Sequence, residues 1–180
     1  MTEEDYFNNH IPHRINLLIT FRERFAKMPN NERENYRDLF RCSKDISLMM
    51  VRFLLGELGL RIKEGDSEIT LYNNNKNKKW YKRIDDFKII PIQLSELKQN
   101  KILYDNILIT LKAANRAVAH IEDFDVDHGI INSADENILV QAINYTEEKI
   151  IHHMYKLTNR DFELIMNYDN NKMHRNRIIL

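Results

Sequence analysis

Arg116 and His120 are the residues of this chain whose types and spacing best suit catalysis. They lie four positions apart, so a helix would place both side chains on one face. An arginine stays protonated and stabilises phosphate charge, whereas a histidine titrates near neutral pH and can move a proton. The pair therefore suits metal-independent cleavage of a phosphoester, with Asn115 as an auxiliary polar group. The structural alternative is that Arg116 pairs with Glu122 or Asp123 and that His120 interacts with the helix C-terminal dipole.

A basic and aromatic segment is the second candidate site. It consists of Lys78, Lys79, Trp80, Tyr81, Lys82 and Arg83. Cations hold phosphates and aromatic rings stack on bases, so this composition is typical of surfaces that bind nucleic acids. Lysines on an exposed strand also discourage edge-to-edge pairing, and this protective role is the alternative.

No pattern in the sequence predicts a metal site or a cofactor site. Asp123, Asp125 and Asp127 have the spacing of the first ligands of a calcium loop. The sixth position of that loop, however, is His128 where glycine is required, and the twelfth is Ala134 where a glutamate is required. No glycine-rich phosphate-binding loop occurs. We expect a polar loop at these aspartates.

The cysteine and the paired histidines are interpreted as structural. Cys42 is the only cysteine, so it cannot form an intramolecular disulfide, and no His or Asp adjoins it; we expect a buried or half-buried thiol. His10 and His13 are close in sequence and His152 and His153 are adjacent, but neither pair has the spacing of a helical zinc site. Ordinary surface or core histidines are expected.

Four stretches with helical periodicity must position these residues. They run from Ile11 to Met28, from Leu39 to Leu60, from Lys101 to His120, and from a capping box at Ser133 and Glu136 to Leu157. The second stretch is apolar on nearly every side and is predicted to lie in the middle of the protein. The third has one apolar face for the bundle and a second face, with Ile109 beside Arg116 and His120, that would meet a partner.

These stretches predict a mainly α fold, a bundle of four to five helices with a small β-hairpin insertion around residues 67–90. Ile69 and Leu71 alternate with polar residues there, and an Asn-rich stretch follows. Only 4 Gly and 3 Pro leave few residues for the turns of an all-β fold. Residues 1–169 are expected to form one helical domain, and residues 170–180 a flexible basic tail.

Charge and hydropathy restrict the partners. The 27 Lys and Arg residues balance the 27 Asp and Glu residues, so binding to RNA would need a local basic patch. The longest apolar stretch, Ile46 to Leu60, is interrupted by Arg52 and Glu57, and the N-terminus has no apolar core of a signal peptide. We therefore expect no membrane partner. The single cysteine favours a reducing compartment, and we expect the cytoplasm.

The order of the helices and the phrase from Ala114 to His120 resemble the HEPN superfamily of small helical bundles. The segment Leu39 to Leu60 is similar to the central helix of its smaller members. The resemblance implies a homodimer with Arg116 and His120 of both subunits at the interface, acting as a metal-independent RNase in the toxin-like branches. Many relatives are non-catalytic. This chain departs from the nuclease pattern in its shorter spacing between Arg and His and in Ala117, where a polar residue is usual.

Two hypotheses stay open from the sequence. In the first, the protein is a HEPN-like dimer that binds or cleaves RNA at Arg116 and His120, with the basic segment as a substrate guide. In the second, it is a non-catalytic interaction protein that binds a protein partner such as an antitoxin. The second apolar face of the third helix is then a subunit contact. Because a fold does not fix a function, the two hypotheses rank level.

Overall fold

The computed structural model describes residues 2–62, 67–71, 87–119 and 136–163, and at 116–119 it gives the backbone alone. This part of the chain is mainly helical, with five helices and one small antiparallel sheet, so the predicted fold class is confirmed. The helices are α1 (residues 3–25), α2 (30–57), α3 (Leu94–Lys98), α4 (Lys101–Ala119) and α5 (136–158). The strands are β1 (Leu60–Arg61) and β2 (Thr70–Leu71).

The first helix, α1, begins and ends earlier than the apolar pattern predicts. It comprises Glu3–Asp5, a π-helical turn at Tyr6–His10, Ile11–Thr20 and a second π-helical turn at Phe21–Phe25. Oγ1 of Thr2 accepts a hydrogen bond from the backbone N–H of Asp5 at 3.1 Å and caps the first turn. The first π-helical turn adjoins Pro12, whose ring would crowd a carbonyl oxygen in a regular α-helix.

The second helix, α2, is central, as predicted, because it packs against α1, α4 and α5. It consists of Asn30–Arg33, a 3₁₀ turn at Glu34–Tyr36, and Arg37–Glu57. Its core side includes the fully buried Val51. Cys42 lies on the opposite side and is exposed, so the expectation of a buried or half-buried thiol is wrong. The apolar run predicted burial but could not say which side of the helix faces the core.

A short sheet follows α2 directly. Leu60 of β1 pairs with Leu71 of β2, and Arg61 pairs with Thr70, in antiparallel register. β2 lies inside the predicted hairpin region, but its partner strand lies upstream of that region. Gly59, at a φ of 89°, turns the chain from α2 into β1, a backbone conformation that favours glycine.

The last two long helices, α4 and α5, complete the bundle. The hydroxyl oxygen of Tyr104 accepts a hydrogen bond from the backbone N–H of Ile69 at 3.1 Å, which ties α4 to the start of β2. α5 runs through Glu136–Ile150, a π-helical turn at Ile151–Tyr155 and a 3₁₀ turn at Lys156–Thr158. It ends at Asn159, whose φ of 54° is left-handed and stops the helix.

Arg33 joins the start of α2 to the start of α5. Its guanidinium donates to Oε2 of Glu136 at 3.0 Å and to the carbonyl oxygens of Met28 at 2.8 Å and Ala26 at 3.1 Å. Nζ of Lys44 lies 3.9 Å from the other oxygen of Glu136. Because these groups are mostly buried, removing Arg33 would leave the Glu136 carboxylate with only the more distant Lys44 to balance its charge.

We expect Arg33→Ala to lower the free energy of unfolding by about 2 kcal/mol, since it would leave the Glu136 carboxylate and two carbonyl groups without their donor. Arg37→Ala is the matched control, because Arg37 is exposed and pairs with Glu34 at 3.6 Å. Its effect should stay within about 0.5 kcal/mol. Urea denaturation measures both variants. Equal losses would contradict the structural role of Arg33.

Candidate functional site

The described structure fixes the position of Arg116 but not its surroundings. α4 remains helical through Ala119, so the backbone at residue 116 has the conformation that the sequence predicts. His120 lies outside the described residues, and so do Glu122 and Asp123, the alternative partners of Arg116. The pairing of Arg116 with His120 therefore stays a prediction.

Asn115, the predicted auxiliary residue, is half-buried at the same end of α4. Its Nδ2 donates to the carbonyl oxygen of Ile62 at 3.4 Å, a long hydrogen bond. Its Oδ1 is buried and has no hydrogen-bond partner among the described residues. Asn115 thus links α4 to the chain that leaves β1, and its oxygen is an unused acceptor. A role beside Arg116 stays a prediction.

The outer face of α4 carries exposed aliphatic side chains. Ile102 is 73% exposed and Ile109 is 43% exposed. These residues and Arg116 are successively seven residues apart, about two helical turns, so the three positions share one face. Asp105 on the same face is exposed, whereas Ala113 is buried. The described residues of the bundle therefore cover the predicted second face of this helix only in part.

Several other predicted features lie outside the described residues. They are the basic segment with Lys78, Lys79, Trp80, Tyr81, Lys82 and Arg83, the three aspartates at 123, 125 and 127, Ser133 of the capping box, and the tail at 170–180. Across the described ranges, no three metal-binding side chains lie close enough to hold an ion.

A buried polar cluster on α5 was not predicted as a site. Tyr145, Lys149 and His153 are four residues apart and follow one side of the helix, and Lys149 forms a salt bridge with Glu96 of α3. The carbonyl oxygen of Ile90 lies 2.9 Å from Nδ1 of His153. The four-residue spacing could have shown from the sequence that the three side chains share one side of the helix. Nothing in the sequence, however, indicates that α3 covers this side.

Burial lowers the pKa of His153 and so favours its neutral form. A carbonyl oxygen can only accept, so Nδ1 carries the proton when the ring is neutral. Nε2 is buried and has no hydrogen-bond partner among the described residues. The nearby Lys149 and His152 lower this pKa as well. Glu96 acts against them, and so does the hydrogen bond to Ile90.

The neighbours of His153 have shifted pKa values as well. Burial raises the pKa of Tyr145, whose hydroxyl has no partner among the described residues. The hydrogen bond from Lys149 lowers the pKa of Glu96. The ammonium of Lys149 also lies 5.6 Å from the centre of the Tyr145 ring. The cluster is therefore a polar contact between α3 and α5.

The chain was compared with protein-family models, with curated proteins and with solved structures, and none of the three comparisons found a match. In the ranges that the structure describes, no helix combines the length and the apolar character needed to cross a membrane.

Stability should fall on acidification because of His153. Its pKa is lower in the folded protein, so the unfolded chain binds the proton first as the pH falls below the ordinary histidine range. We expect the urea midpoint to fall between about pH 7.5 and pH 5.5. His153→Gln, which keeps a donor for Ile90, should flatten this dependence, whereas the exposed control His152→Gln should not. An unchanged slope in His153→Gln would contradict the assignment.

Proposed function

We propose that this protein is a HEPN-like cytoplasmic RNA-binding protein that cleaves RNA without a metal ion, with Arg116 and His120 as the catalytic pair and Asn115 as an auxiliary group. One observation supports the proposal most. The helix that carries Arg116 is continuous to Ala119, and position 116 continues the face on which Ile102 and Ile109 are exposed. Large ligands bind at exposed helix faces, so the backbone position of residue 116 supports the proposal.

The chemistry follows from the two residue types. His120 would take the proton of a ribose 2′-hydroxyl, and the resulting oxygen would attack the adjacent phosphorus. Arg116 would stabilise the negative charge that develops on the phosphoryl oxygens. The bond to the 5′ oxygen breaks, and that oxygen takes up a proton from the imidazolium. The products would be a 2′,3′-cyclic phosphate and a free 5′-hydroxyl.

A second candidate function is a non-catalytic interaction protein that uses the outer face of α4 to bind a protein partner, such as an antitoxin-like protein. The exposure of Ile102 and Ile109 favours it, because aliphatic side chains gain stability when a partner covers them. The two candidates differ in one respect that can be measured. Only the first requires RNA to be cut.

Cleavage of labelled single-stranded RNA in EDTA tests the catalytic pair. We expect the wild type to cut, and Arg116→Ala and His120→Ala each to reduce the rate by at least about 100-fold. Arg37→Ala and His13→Ala are matched controls, since both residues are exposed elsewhere on the bundle, and they should keep the wild-type rate. Circular dichroism checks that all variants fold. If the wild type leaves RNA intact, the interaction function is favoured.

The basic segment is tested by RNA affinity rather than by cleavage. Replacing Lys78, Lys79, Lys82 and Arg83 together by alanine should weaken binding and reduce the salt dependence of log K by up to about three. The control replaces four exposed cations elsewhere, at Lys27, Arg37, Lys101 and Lys156, and removes the same charge. Fluorescence anisotropy at several salt concentrations measures both. An equal loss in the two variants would mean that only net charge matters.

A further inference from the structure

A second apolar seam runs along α2 on the side opposite Val51; its residue Phe53 also packs against the core, and the Arg14 guanidinium lies 4.1 Å from the centre of its ring. It consists of Leu39, Cys42, Ile46, Met49 and Phe53, and Gly56 continues it. The steps are alternately three and four residues, which is the heptad spacing of helices that pack against one another. Leu39 is 59% exposed and Cys42 is exposed, while the next three are half-buried. The fold therefore leaves part of a helix-packing surface uncovered.

Gly56 adds a gap at the far end of this seam. A Cβ atom built on it would meet no atom of the described residues within 4 Å, apart from its own helix and chain neighbours. Glycine is unfavourable inside a helix, and here no neighbouring group explains its presence. In the described part of the chain, the space directly beside Gly56 is therefore open.

We propose that this seam docks against the same seam of a second copy, with the two α2 helices antiparallel. In one register each small residue of the seam, Cys42 or Gly56, faces a large one, and the two central residues face each other. Leu39 faces Gly56 of the partner subunit, Cys42 faces Phe53 of the partner subunit, and Ile46 faces Met49 of the partner subunit. Twofold symmetry repeats each contact, so three pairings make six layers. The most exposed seam residue, Leu39, then fills the gap beside the glycine.

The charges beside the seam match the same register. Asp45 and Arg52 are exposed on the edge of the seam that the bundle does not cover. Among the described residues, neither forms a salt bridge within its own chain. In the antiparallel register Asp45 approaches Arg52 of the partner subunit, and symmetry makes the pair twice. In a parallel symmetric arrangement each seam residue would face its own equivalent in the partner, so Leu39 would not lie opposite the glycine at position 56.

The contact is of modest size. From Leu39 to Gly56 the seam extends about 25 Å, so the pair of helices alone forms an interface at the small end of the specific range. We therefore expect dimers that dissociate at micromolar concentrations. This interface differs from the one that the HEPN resemblance implies, in which Arg116 and His120 of both subunits meet. It does not use the outer face of α4, so it can be tested apart from the proposed RNA chemistry.

A charge-exchange series tests the dimer by sedimentation equilibrium of the full chain at low salt. Asp45→Arg and Arg52→Asp each place like charges opposite one another twice, so each should weaken association by roughly tenfold or more. The double variant restores opposite charges and should regain most of the affinity. Both residues are exposed, so the fold should be unaffected, and circular dichroism checks this.

Two further variants show which of the two outward faces, the α2 seam or the outer face of α4, forms the dimer. Ile46→Glu in the seam should abolish the dimer, whereas Ile109→Glu on α4 should leave it intact. A monomeric wild type at about 100 μM would overturn the proposal. So would a double charge variant that fails to recover, or a dimer lost only in Ile109→Glu. A dimer that does not cut RNA would leave this interface standing while the catalytic function fails, so the two proposals are separately decided.

Discussion

The burial of α2 is the constraint on which the rest of the fold depends. Its side with Leu48, Val51 and Leu55 is fully covered, and α1, α4 and α5 all pack against it. A helix of this kind has little stability in water without such neighbours, because its apolar surface would stay hydrated. The neighbouring helices are therefore positioned by α2, and the small sheet begins at Leu60, shortly after α2 ends at Glu57.

Buried polar groups then fix how the helices pack. The hydroxyl of Tyr6 donates to Oε2 of Glu57 at 2.9 Å, and the hydroxyl of Tyr155 donates to the carbonyl oxygen of Phe7 at 2.7 Å. Each bond joins residues that are far apart in the chain, and leaving such a group unpaired would cost stability. Together they set the positions of α1 relative to α2 and α5, which apolar contacts alone would leave less specific.

The two outward faces of the bundle are suited to different tasks. On the face of α4 that includes Ile109 and position 116, exposed aliphatic side chains are few, and polar residues separate them. The seam on α2 has a continuous heptad spacing, a glycine at position 56 and two exposed residues of opposite charge at its edge. The first arrangement suits a ligand or a varied partner surface, and the second suits another helix. A dimer through α2 would leave the outer face of α4 in each of the two subunits outside the interface.

The sequence by itself determined the helices, because a period of 3.6 residues and the capping preferences are local. It also predicted that α2 is central and that a strand lies near Ile69, and it proposed the Arg116 and His120 pair that remains to be tested. Only the tertiary structure decided that Cys42 is exposed, that β2 pairs with β1, and that His153 is buried beneath Ile90. The reason is physical: periodicity identifies the apolar sides of a helix, but distant segments decide which of those sides are covered.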